Sequence, residues 1–144
     1  MRMFLVLIVM MMSSAFSMAQ DNYGFKVAGV DVTSDNYLDL TEISGVSGKV
    51  YFDPNTRTLT LDNATIEVDG CNAILNKDCR YLVIELLGTN TINVTNSAGI
   101  YTCESTTILG GSGSTLTIKN DRCAVLFEGS PLEIVNCWLE AEGE

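Results

Sequence analysis

The stretch that decides the fold is RTLTLDNATIEVDG, residues 57–70. Apolar and polar residues alternate through Leu59 and Leu61, break at Asp62-Asn63, and resume through Ile66 and Val68. Alternation with a period of two marks a strand with one face turned inward. The phrase returns as YLVIELLGTNTINVTN at 81–96 and as TTILGGSGSTLTIKN at 106–120, with no helical period between the copies.

Internal repetition at a fixed period is the signature of a solenoid. Leu61, Ile84, Ile108 and Ile134 line up at separations of 23, 24 and 26 residues, and Ile66, Ile92, Leu116 and Leu139 at 26, 24 and 23. A third, shorter element (NAIL, AGIY, CAVL) places Ile74, Ile100 and Val125 at 26 and 25. Three short strands and three corners per repeat are what a coil of a parallel β-helix needs. Stacked at about 4.8 Å, its inward Leu, Ile and Val form columns. One coil cannot bury its own apolar face, but three or more can. Asn63, Asn90 and Asn136 fall between the first two strands of a repeat, where Asn accepts the left-handed backbone of a sharp corner. The third repeat has GGSGS, residues 110–114, instead. An antiparallel sandwich would explain the alternation but not three columns at nearly one spacing.

The predicted fold is therefore all-β: a right-handed parallel β-helix of about three and a half coils over residues 57–144, behind N-terminal strands and a β-hairpin cap over 20–56. The hairpin is expected at 48–61, around the turn DPNT, where Pro54 fixes the backbone and Asn55 tolerates the corner. The sequence breaks off partway through a fourth coil. Either Trp138 and the acidic tail form a minimal cap, or the coils continue in a longer protein.

Residues 1–19 read as a cleaved signal peptide: Arg2, an apolar run from Phe4 to Met12, and the small-x-small site Ser17-Met18-Ala19. The run is too short to span a bilayer, and Gln20 is not the cysteine of a lipoprotein. A secreted, periplasmic or cell-surface location follows, with no membrane insertion after cleavage. The 144-residue chain carries a net charge of −10, which argues against nucleic acid and anionic membranes as partners. It has no histidine, which removes Ser-His and Cys-His nucleophiles and histidine-ligated zinc. Cys71, Cys79, Cys103, Cys123 and Cys137 are an odd number with no C-x-x-C pair. Cys79 and Cys103 each precede an inward isoleucine by five positions, so they are the disulfide candidate, with two buried thiols as the alternative. NAT at 63 and NVT at 93 match the glycosylation pattern but coincide with corner and strand, and are read as structural.

The phrases VAGVDVTSDN (27–36), GKVYFDPNTRTLTLDNATI (48–66), LGTNTI (87–92), AGIY (98–101) and LTIKN (116–120), in this order, resemble an exported bacterial group of carbohydrate-binding-domain proteins. The group is similar in fold to polysaccharide lyases, a right-handed parallel β-helix. The resemblance runs from about residue 23 to the end and rests on strands and corners, not on catalytic motifs. It implies an extracellular module that binds plant-type or acidic polysaccharide, with calcium as the cofactor it allows. No metal motif stands at matching positions, so no ligands are assigned.

Lyases on this fold pair a calcium-neutralised sugar acid with a basic residue. The candidate bases are Lys77, Arg80, Lys119 and Arg122, and the acids Asp62, Asp69, Glu85, Glu104, Asp121 and Glu128, but no two acids sit one coil apart with a base between them. The outward threonines Thr58, Thr60, Thr65, Thr91, Thr115 and Thr117 offer hydroxyls, although Thr is also simply a good strand residue. Tyr101 and Trp138 are the expected outward rings for carbohydrate binding, Trp138 in line with Thr65 and Thr115. The leading expectation is a monomeric, exported, non-catalytic polysaccharide-binding module. The alternatives are a structural or adhesive surface protein and a calcium-dependent lyase.

Overall fold

The computed structural model describes residues 19–143. The expected signal peptide lies outside that range except for Ala19. Strand β4 (Thr58–Asp69) bends at Asn63, whose φ is 47°, and with β5 (Ile74–Asn76) makes the first coil. The second coil is β6 (Leu82–Leu87), β7 (Thr89–Thr95) and β8 (Ala98–Thr102). The third is β9 (Thr106–Gly110), β10 (Thr115–Asn120) and β11 (Cys123–Phe127), and β12 (Leu132–Val135) and β13 (Trp138–Gly143) begin the fourth. Every coil-to-coil pairing is parallel. The molecule is a parallel β-solenoid with three faces. The first half of β4, then β6, β9 and β12, form the first face. The second half of β4, then β7, β10 and β13, form the second. The third is β5, β8 and β11.

The expected columns hold on the third face, where Ile74, Ile100 and Val125 stand in register. The other two are corrected by two residues. Leu59, not Leu61, stands beside Ile84, Ile108 and Ile134. Ile66 and Ile92 lead to Ile118, while Leu116 lies between Asn90 and Leu139. A one-residue slip would turn every side chain over, but a two-residue slip keeps each on its own face, so alternation alone cannot set the register. Corner length sets it: the second coil turns on Gly88 alone, whereas residues 111–114 separate β9 from β10.

Asn90 is therefore not a corner residue. Gly88 takes the turn with φ 67°, and a Cβ there would strike the Asn63 amide of the coil before. Asn90 is fully buried instead. Its Oδ1 accepts from the Ala64 N–H at 2.9 Å, and its Nδ2 donates to the Leu87 carbonyl at 3.2 Å. Buried Asn76 does the same work at another corner: its Oδ1 accepts from the Cys79 N–H at 3.0 Å, and its Nδ2 donates to the Cys79 carbonyl and Thr106 Oγ1, both at 2.9 Å. These amides satisfy backbone groups that a corner takes out of the ladders.

The front end is closed by antiparallel strands. β1 (Asn22–Val27) pairs with β5 and with β2 (Val30–Thr33), and β3 (Val46–Asp53) pairs with β4 from Thr58 to Ile66. The β3–β4 hairpin matches the expected one, but at its turn Arg57 takes the positive φ, 54°, rather than Asn55. Asp53 Oδ1 accepts from the Asn55 N–H at 2.9 Å, which holds Asn55 in an Asx turn. Tyr23, Phe25, Tyr37 and Phe52 pack edge-on or tilted behind these strands with centroids 4.8–5.8 Å apart.

Candidate functional site

The second face is flat and regular, and its strands point every other side chain outward. Beyond the row of Thr89, Thr115 and Trp138, three rows cross it. Thr65, Thr91, Thr117 and Glu140 form the first, Glu67, Asn93, Lys119 and Glu142 the second, and Asp69 and Thr95 begin the third. Where the last two rows meet the corner lies an open groove of about 490 Å³, lined by Glu67, Asp69, Asn93, Thr95, Lys119 and Asp121 among others. Its corner side is fixed by hydrogen bonds between coils. Asp69 Oδ1 accepts from Thr95 Oγ1 at 2.6 Å and from Asn96 Nδ2 at 2.8 Å. The Asn96 N–H donates to both Asp121 oxygens, at 2.9 and 3.1 Å. The Thr95 hydroxyl above all, then the Asn96 amide, hold the Asp69 carboxyl below its ordinary pKa.

Lys119 Nζ lies 2.9 Å from Glu142 Oε2, and that bond raises the lysine's pKa. A general base works best with a pKa near the operating pH, and the shift moves Lys119 away from it. Arg80 lies 3.8 Å from Glu104, and Lys77 lines a separate depression beside Lys26 and Asp31. The candidate bases are thus not gathered at one site. Calcium wants six to eight oxygens. Among the described residues no group of three or more Asp, Glu or Cys is placed to hold a metal ion.

The two expected rings lie on different faces. Tyr101 is on the third, in a row with Leu75 and Leu126. Its hydroxyl donates to Glu128 Oε2 at 2.7 Å, which pushes the phenol's pKa up. Trp138 is 69% exposed on the second face, where it lines a separate depression with residues 110–115 at the opposite end of the strands from the groove. Its row is Thr89, Thr115 and Trp138, and the expected partner Thr65 belongs to the next row. Thr60, expected outward and free, is covered and donates to Glu85 Oε2 at 3.2 Å.

Cys79 and Cys103 are unbridged, and all five cysteines are free thiols. The corner after β5 has five residues, 77–81, and the one after β8 has three, 103–105. Cys79 turns into the interior under Asn76, while the Cys103 N–H donates to the Asn76 carbonyl and continues the third-face ladder. Burial pushes the Cys79 thiol's pKa up.

The Glu67–Asn93–Lys119 row is the feature that sequence reading passed over. Its signal is the 26-residue step of Ile66, Ile92 and Ile118, which carries each following residue with it. Among the described residues no helix is long and apolar enough to cross a membrane. Comparison with protein-family models, with curated proteins and with solved structures gives no match for this chain.

Proposed function

We propose that this chain is an exported, non-catalytic polysaccharide-binding module that holds its glycan along the second face. The observation that carries this reading is the open groove, where Val68 and Val94 lie among Glu67, Asp69, Asn93, Thr95 and Lys119, continuous with rows of Thr, Asn, Glu and Lys in register across the coils. Such rows repeat hydroxyl, amide and carboxylate groups at the strand spacing of about 4.8 Å, which suits a ligand that is itself a repeating chain of hydroxyls. Trp138, on the same face, supplies an apolar ring of the kind that packs on sugar C–H groups. A monomer is sufficient for this role.

The test is retention of the purified protein on a panel of immobilised polysaccharides. Asn93→Ala and Trp138→Ala each weaken retention, Trp138→Ala by about tenfold, as expected of an exposed aromatic anchor. Tyr101→Phe, on another face, leaves it unchanged. Equal losses from all three, or none from any, contradict the assignment to this face.

A second reading, adhesion to another protein, draws on the apolar side chains exposed on the third and fourth coils: Leu126, Phe127, Ile134 and Trp138. Failure on every glycan, with retention on host or bacterial proteins, would favour it.

A further inference from the structure

We infer that the second-face groove accepts an uncharged glycan and discriminates against one bearing a carboxylate on each sugar. This rests on the glycan-binding reading above and specifies the polymer class. The site itself is the groove with its neutral rows: Thr65, Thr91 and Thr117 stand in register beside Asn93. Hydroxyls and amides donate and accept in turn, as sugar hydroxyls do.

Charge decides what else is admitted. Glu67, Asp69 and Asp121 line the groove, and Glu140 and Glu142 continue its rows onto β13. The lining cation, Lys119, is tied to Glu142 at 2.9 Å and also lies in the field of Glu140. An incoming uronate would have to displace Glu142 from that lysine while facing Glu67, Asp69, Asp121 and Glu140. Among the described residues no group of three or more carboxylates is placed to hold a divalent ion that could bridge them to a uronate. The whole chain, at −10, repels a polyanion before contact. The hydroxyls of a neutral polymer can donate to these carboxylates and meet no like-charge repulsion.

The test compares matched polymers that differ in charge: hydroxyethylcellulose with carboxymethylcellulose, and fully methyl-esterified homogalacturonan with polygalacturonate. The protein expressed from the full-length sequence is measured by affinity electrophoresis, with calcium and with chelator, at low and high salt. The expected result is retention by at least one neutral polymer and weaker retention by its carboxylated counterpart. High salt narrows the gap, because it screens exposed charges. Glu67→Gln, on an outward strand position that leaves the core untouched, narrows the low-salt ratio about 1.5- to 5-fold, the range of a single surface charge interaction. Retention by a carboxylated polymer equal to or stronger than by its neutral counterpart overturns the inference and leaves the glycan-binding reading standing. No retention by any polymer overturns both.

Discussion

The two ends of the solenoid are built from the same kinds of residue and are finished differently. At the front, Phe25 and Phe52 are buried, 1% and 2% exposed, behind antiparallel strands. At the back, Phe127 is 58% exposed and Ile134 47%, although Ile134 continues a column whose other members, Leu59, Ile84 and Ile108, are fully buried. The difference teaches that burial in this fold belongs to the neighbouring coil and not to the residue. An inward position is dry only when something is stacked on both sides of it. Strands β1 and β3 supply that layer in front and use antiparallel pairing to occupy the edge that parallel coils leave open. No described strand does so behind β11, β12 and β13.

The largest expected effect comes from the aromatic residues. Phe52→Ala, which empties the front layer, should cost about 3–5 kcal/mol, read as a lower urea midpoint. Phe127→Ala at the back should cost less than about 1 kcal/mol, because little of it leaves water on folding. Equal losses would break the contrast between the ends. A smaller effect, of about 1–3 kcal/mol, is expected for Asn90→Ala, which leaves the buried Ala64 N–H without its acceptor. It should speed amide exchange at Ala64 above that of its neighbours, and unchanged exchange there would contradict the bridge. The smallest effect is at exposed Asp69. Its folded pKa lies below the ordinary 3.8, so the ionised form stabilises the fold. That contribution is complete above the unfolded value and disappears as pH falls through the folded one. Asp69→Asn should therefore flatten the fall of the urea midpoint below about pH 4, and an unchanged slope would show that the Thr95 and Asn96 contacts do not hold in solution.

Most of the architecture was legible in residues 57–127, because period-two alternation and a repeat near 25 residues leave few other folds. The third-face column was read in register because its strands are short and have few alternative pairings. The other two slipped by two residues, at Leu61 and at Leu116, since side-chain direction is blind to such a shift. The same blindness put Asn90 at a corner, when Gly88 turns the chain and Asn90 works inside. Cys79 and Cys103 looked equivalent because their distance to the next isoleucine is equal, but their corners differ by two residues. Of the site, Trp138 was legible as an outward ring. The groove was not, because it depends on Ile118 rather than Leu116 following Ile92, and that choice alone brings Glu67, Asn93 and Lys119 into one row.

The most direct test of the central claim is a backbone-amide NMR titration with a neutral oligosaccharide that the protein retains. The account predicts shifts concentrated at residues 67–69, 93–95 and 119–121, reaching Trp138, with Leu75, Tyr101 and Leu126 unmoved. Shifts centred on that third-face row, or confined to the open end at Phe127 and Ile134, would contradict it.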